Sequence, residues 1–214
     1  MARMSSGDRR SELLQAALRV ISRRGVTGAT TRAIVAEAGM SLASFHYAFA
    51  SRDEMMRELI GLVVENESSA VSASFEFGSD IRSSIRNGLV AFLATMESDP
   101  SHEQVMLELQ QYALRTPALE HLAREQHDRY RDAVARILVD GARSAGIRWA
   151  LPVDDVARVV VTVTDGLTMG WLADRDSAAA RRIIDFSTDS LARLAIPLLN
   201  GTTSNTPATK EYSA

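Results

Sequence analysis

The 214-residue chain contains no cysteine, which excludes disulfides and thiolate chemistry. The N-terminus lacks the apolar core of a secretion signal, and no uninterrupted apolar run approaches a membrane span of about 20 residues. A cytoplasmic protein with no membrane partner is expected. There is no strand-type alternation of any length, no internal repeat and no heptad pattern, which points away from sheets, solenoids and coiled coils. No nucleophile elbow, phosphate-cradling glycine loop or His-Glu-x-x-His run is present. No catalytic residues, no metal site and no cofactor are therefore expected. Only one of the 24 basic residues is lysine, Lys210. That scarcity reads as genome composition rather than mechanism.

What is present is ordinary in amount and uneven in placement. Hydrophobic residues make up 46 % of the chain and charged residues 24 %, enough for one sizeable core and a small extra domain. Net charge is −3, which alone argues against a nucleic-acid partner. Residues 1–53, however, hold eight arginines against four acids, a net of +4, leaving −7 for the remainder. A basic end on an acidic body is expected where only that end meets phosphates.

Residues 30–55 organise the rest. The stretch reads as two short helices, 30–38 and 42–49, joined by a turn at Gly39-Met40-Ser41. Thr30 and Ser41 are suited to cap them, each hydroxyl accepting from an early, unpaired helix amide. Gly39 is the natural residue just past a helix end, because glycine adopts the left-handed conformation cheaply. This is the helix-turn-helix pattern, whose second helix can enter the DNA major groove. In that second helix Leu42, Phe45 and Phe49 share one face and are expected to dock it. Ala43, Ser44, His46 and Tyr47 occupy the other face, and Leu42 begins the helix. Ser41 to Ser44 could meet DNA directly, a thymine methyl suiting Ala43. For Tyr47 a phosphate contact is favoured over a core role. For His46, a base or phosphate contact and half-exposed packing stand level. Arg32 leans towards a phosphate contact, and Arg52 starts the next helix facing where a phosphate would lie.

The chain around this stretch reads as helices throughout. Residues 1–7 are polar, and an arginine-rich amphipathic helix runs from Asp8 to Arg24, closed by Gly25. A helix from Arg52 to about Ser72 leads into a break at Phe75-Glu76-Phe77-Gly78. Ser79 is expected to cap a helix through Met96. Pro100 starts one through Arg115, and Pro117 opens the longest, to about Ser144. The last two helices, 153–173 and 177–199, are apolar on more than one side and so need burial on two faces. An identical subunit across a two-fold axis is the economical second partner. Val159, Val163, Ile184 and Leu191 are the candidate dimer residues. Phe92, Met106, Gln110, Asp165 and Trp171 are candidates to line a cavity, although core packing is the commoner fate of each. Asp165 could instead cap a helix break near Gly166 and Gly170. His121 and Glu125 lie four residues apart, but on a helix so rich in charge a solvated face outweighs a metal site.

With these residues on the page, the chain resembles the tetracycline-repressor (TetR) family of bacterial transcription regulators. The resemblance is specific over residues 10–60. Ala38-Gly39-Met40-Ser41 and Phe45-His46-Tyr47-Ala48-Phe49-Ala50-Ser51-Arg52 carry it. His46 stands where tyrosine is more usual, Ala48 where histidine is common, and Arg52 in place of lysine. Tyr47 and Arg52 match positions that bind phosphates in the family. Beyond residue 60 the likeness is confined to helix count, Asp165-Gly166-Leu167 and the two apolar last helices. The resemblance implies an all-α homodimer with a helix-turn-helix DNA-binding domain at 8–52. A helical effector-binding and dimerisation domain would follow at 53–200, then a disordered tail at 201–214. The implied function is a regulator, acting as a repressor, released from double-stranded operator DNA by a small effector, apolar or amphipathic. A helical enzyme acting on small molecules and an effector-free DNA-binding protein are the alternatives.

Overall fold

In the computed structural model, residues 5–73 and 80–198 are described, the side chains of 64–73 excepted. The elements are helical apart from one short strand pair. Helix α1 (Ser6–Gly28) starts two residues before the sequence reading placed it. Ser5 and Asp8 explain this by forming a reciprocal capping box, the Ser5 hydroxyl accepting from the Asp8 amide at 3.1 Å. Regular helix geometry ends at Gly25, whose φ of 69° only glycine adopts without strain.

Helix α2 (Thr31–Glu37) is capped by Thr30 as expected. Its end is a Schellman turn: the Met40 amide donates to Val35 at 2.8 Å and the Gly39 amide to Ala36 at 3.2 Å. Gly39 supplies the positive φ, 63°. Helix α3 (Leu42–Ala48) follows at once, capped by Ser41. Helix α4 (Arg52–Ala73) leads away from these three. The expected break at residues 75–78 and the expected cap at Ser79 lie outside the described residues. Asp80 caps the next helix instead, its carboxylate accepting from the Ser83 amide at 2.8 Å.

Helices α5 (Ile81–Ser98) and α6 (Pro100–Arg115) follow, then α7 (Glu120–Ala145). Pro117 lies in the turn before α7 rather than within its first turn. Helix α8 (Val153–Asp174) runs unbroken past Gly166 and Gly170, so Asp165 caps nothing. An 18-residue window within it has a mean hydropathy of 1.2, so by length and composition alone α8 could cross a membrane, which corrects the expectation that no stretch approaches such a span. Val156, Ala157, Val161, Leu167 and Trp171 are covered within the chain, 33 % of that window being buried.

Helix α9 (Ser177–Ala192) is shorter than expected. The chain then enters strand β2 (Ala195–Pro197), antiparallel to β1 (Ile147–Trp149) between α7 and α8. Three-residue strands carry too little alternation to be read from sequence. The expected tail at 201–214 lies outside the described residues.

Two apolar cores result. One joins Leu13, Ile21, Ile34, Phe45 and Phe49 of the first three helices to Met55, Leu59 and Ile60 of α4 and Val105 and Leu109 of α6. The other joins α5, α8 and α9 around Leu93, Met96, Val156 and Ile184. The core beneath α1–α3 thus does not stop at residue 52; α4 and α6 complete it.

Candidate nucleic-acid interface and effector cleft

Helix α3 is held by one face only. Phe45, Ala48 and Phe49 are buried, and the tilted Phe45 and Phe49 rings lie 5.6 Å apart. Ala43, His46 and Tyr47 are exposed, Tyr47 by 72 %. His46 meets the edge of Phe45 and otherwise faces outward. Leu42 corrects the expectation that it docks the helix. It is 43 % exposed: it is the first residue of a seven-residue helix whose buried positions, Phe45 and Ala48, come later. Ala48, buried at 5 %, takes its place.

The capping residues Thr30 and Ser41 are themselves exposed. Thr30 accepts from the Ala33 amide at 3.2 Å, and Ser41 from the Ser44 amide at 3.1 Å. The Ser41 and Ser44 hydroxyls are 3.0 Å apart. A hydroxyl that accepts from its own helix still has a proton to donate, so capping and a DNA contact are compatible. Arg32 is exposed on α2.

Arg52 differs from expectation. Its guanidinium turns inward, donating to the carbonyls of Ala29 (2.9 Å) and Val26 (2.8 Å) and to the Tyr112 hydroxyl (3.0 Å). The open carbonyls behind the Gly25 kink draw it there, so its side chain ties α4 to the α1–α2 loop instead of facing a phosphate. Other arginines of the basic end are also committed. Arg10 bonds Glu58, Glu54 and the Ala48 carbonyl and lies over the Phe49 ring. Arg19 and Arg23 both pair with Glu37. The Arg19 hydrogen bond is the leading reason that the Glu37 carboxyl is held below the usual range.

Helix α6 grips this end from below. The Glu108 carboxylate accepts the Val26 amide at 2.6 Å, and Tyr112 donates to Asp53 at 3.2 Å. Sequence reasoning missed Arg10, Glu108 and Tyr112. Their spacing of 38 to 82 residues from their partners leaves no local signal.

On the other side of α6, Gln110 and Leu114 face α7 across a cleft of about 320 Å³. Glu120, Ala123, Arg124 and His127 complete its wall. Of the expected cavity residues, Gln110 alone lines it. Met106 belongs to the first core, and Phe92 and Trp171 pack in the second. Trp171 also donates to Ser177 at 3.0 Å. Asp165 is exposed as a residue on α8, although protein packs around part of its carboxyl. Desolvation by surrounding protein pushes its carboxyl above the usual range, and the charge of His127 opposes the shift.

The expected dimer residues divide. Val159 is exposed and Val163 half-buried, but Ile184 and Leu191 are buried in their own subunit. They cannot form a contact surface. Helix α9 turns Ala180, Ile184 and Leu191 inward, while Ile183 and Phe186, one step round the helix, stand 50 % and 75 % exposed. Met169 on α8 joins them at 60 %. A second apolar stripe beside the Ile184–Leu191 stripe was the sequence signal for these residues. Among the described residues no group of three or more His, Cys, Asp or Glu is placed to hold a metal. Glu125 pairs with Arg129 at 2.7 Å.

Comparison with known proteins bears on both ends of the chain. Residues 13–59 match the family profile described as bacterial regulatory proteins, tetR family. Residues 82–195 match that of the BetI-type transcriptional repressor C-terminal domain. The nicotine-responsive transcriptional repressor HdnoR of Paenarthrobacter nicotinovorans is 28 % identical over 188 residues, covering 88 % of this chain and 96 % of that protein. The multidrug binding protein EbrR, solved with imidazole, is 27 % identical with a TM-score of 0.61, over 89 % of this chain and 96 % of its own. A regulator from Saccharomonospora viridis, solved with choline, shares the fold at a TM-score of 0.71 and 21 % identity, over 90 % of this chain and 100 % of its own.

Proposed function

The chain belongs to the TetR family of bacterial transcription regulators, and from that premise we propose that it is a homodimeric repressor whose paired α3 helices read an operator. The observation that carries this is the one-sided burial of α3. A helix with Phe45, Ala48 and Phe49 sunk in the core offers Ala43, Ser44, His46 and Tyr47 to a groove. Thr30, Arg32, Ser41 and Leu42 flank that face.

The second copy docks on α8 and α9 through Val159, Met169, Ile183 and Phe186. Four large apolar side chains standing in solvent on two adjacent helices need a cover. A two-fold pair then sets two α3 helices one DNA turn apart, roughly 34–36 Å.

The effector enters the α6–α7 cleft. Glu120, paired with Arg124 of the same wall at 3.6 Å, and Asp165, which lies outside the lining but feels the charge of His127, suit an organic cation that displaces Arg124 and rests its apolar body on Leu114 and Ala123. Choline, bound by one structural neighbour, is a cation of that kind. Helix α6 carries the response. Its Gln110–Leu114 side walls the cleft, and its Glu108–Tyr112 side holds Val26, Arg52 and Asp53. A ligand that prefers a shifted α6 lowers DNA affinity by its differential affinity for the two arrangements.

The test is selection of bound duplexes from a random pool, then a screen of organic cations and neutral analogues for release of the winner. Enrichment of a two-fold sequence, released by cations, is the expected result. A pool that stays random would overturn the DNA reading; release by neutral compounds alone would overturn the effector class.

A further inference from the structure

We propose that Leu42 is a specificity-determining residue of the DNA-reading helix, its exposed side chain resting on the C5-methyl group of a thymine in each half-site. The proposal rests on the reading of α3 as the groove helix. Helix α3, Leu42–Ala48, carries no Arg, Lys, Asn, Gln, Asp or Glu. Those are the side chains that pair with the guanine, adenine and cytosine edges of the major groove. What remains for hydrogen bonding is Ser44, His46 and Tyr47, each limited to single contacts, and a serine hydroxyl serves any base edge. Thymine alone of the four bases carries a methyl group in that groove. An apolar side chain is therefore the discriminating reader left to this helix.

Leu42 has the position for it. It opens α3, and the N-terminal residues of a groove helix are those that reach base edges. Met40, two residues earlier, packs against the first core, and Phe45, three residues later, is buried in it. Leu42 between them keeps 43 % of its surface in solvent. At about 100° per residue, Leu42, His46, Ala43 and Tyr47 follow one another round an arc of about 140°, and all four are exposed. Leu42 stands at one border of that arc and is its one aliphatic side chain longer than a methyl. Ala43 ends at Cβ, so Leu42 reaches further from the helix axis. An exposed leucine gains by leaving water, and the thymine methyl is the apolar surface that the major groove offers it.

The experiment uses the full chain and a duplex that it selects from a random pool. Each thymidine of the half-site is replaced in turn by deoxyuridine, which keeps every hydrogen-bonding group and lacks only the methyl. Affinity is measured for the parent, Leu42→Ala and Tyr47→Ala. One thymidine should show a loss of about fourfold for each half-site altered, the worth of one apolar carbon removed from water. Leu42→Ala should erase that loss at the same position, the two changes being coupled rather than additive. Its slope of log K against log[salt] should match the parent's, because an apolar contact releases no counterion. Four results would each overturn the assignment: a half-site without thymine, a scan in which no deoxyuridine weakens binding, a Leu42→Ala protein that keeps the parent's deoxyuridine penalty, or a salt slope changed by Leu42→Ala. If Tyr47→Ala still weakened binding in those cases, the α3 reading would survive. If Tyr47→Ala also left binding unchanged, or the pool stayed random, the α3 reading would fail with it.

Discussion

Glu108 accepts the backbone amide of Val26 at 2.6 Å, and the same carboxylate lies where a side chain on Gly25 would project. The kink that ends α1 is therefore completed by a residue 82 positions along the chain. Gly25 is required twice over: its φ is +69°, and an added Cβ would stand 3.0 Å from the Glu108 Oε2. Replacing Glu108 by Ala leaves the Val26 amide without its acceptor. We expect a loss of about 1–3 kcal/mol in stability by urea unfolding and a weaker effector response. Glu108→Gln, which can still accept through its amide oxygen, should recover most of the stability. A Glu108→Ala protein that unfolds and responds like the parent would show that α6 does not hold the DNA end.

Arg52 separates structural from DNA-binding arginines. Arg52→Ala strips two backbone carbonyls and the Tyr112 hydroxyl of their donor. It should cost about 1–3 kcal/mol of stability. It should leave the salt dependence of DNA binding unchanged, because no phosphate contact of its side chain is lost. A slope reduced as for a phosphate contact would return Arg52 to the interface that the sequence motif suggests.

The helix-turn-helix was legible because its signals are local. Thr30, Gly39 and Ser41 each act on backbone groups within a few residues, and Phe45 and Phe49 mark one face of a two-turn helix. The cleft was less so. Trp171 and Met106 have the character of ligand-lining residues and are core, since apolar composition does not distinguish the two. Arg52 was misjudged because the carbonyls that capture it come from a loop 23 to 26 residues earlier; Gly25 marks the end of the first helix in the sequence, but nothing local says which side chain the loop behind it will draw in. Helix α9 was readable as apolar but not in phase. Ile183 and Ile184 are adjacent, equally apolar and on different sides.

That phase gives a paired prediction. Phe186→Glu puts charge on the exposed stripe, where the folded subunit has no objection to it. The subunit should stay folded and become monomeric in sedimentation, and operator binding should fall with dimerisation. Ile184→Ala instead removes volume from a fully buried site. It should destabilise the subunit by about 2–5 kcal/mol. A Phe186→Glu protein that remains dimeric would move the interface away from α9.

Asp165 offers a test by pH. Desolvation raises its pKa in the folded chain above the ordinary value of 3.8, against the opposing charge of His127. The folded state then binds this proton more tightly than the unfolded state. Its contribution favours folding fully below about 3.8 and is lost as pH rises through the folded-state value. Asp165→Asn removes the carboxylate that is costly to ionise. The variant should melt higher than the parent at neutral pH, and the gap should shrink as pH is lowered towards 4. A gap that is constant with pH, or that widens towards acid, would show that the carboxyl is not desolvated. The same substitution bears on the cleft. If an organic cation that frees DNA from the parent owes about 1.4 kcal/mol to this charge, Asp165→Asn should need about tenfold more of it, with DNA affinity in its absence unchanged. Unaltered release would place the cation's counter-charge elsewhere, Glu120 being the carboxylate that lines the cleft.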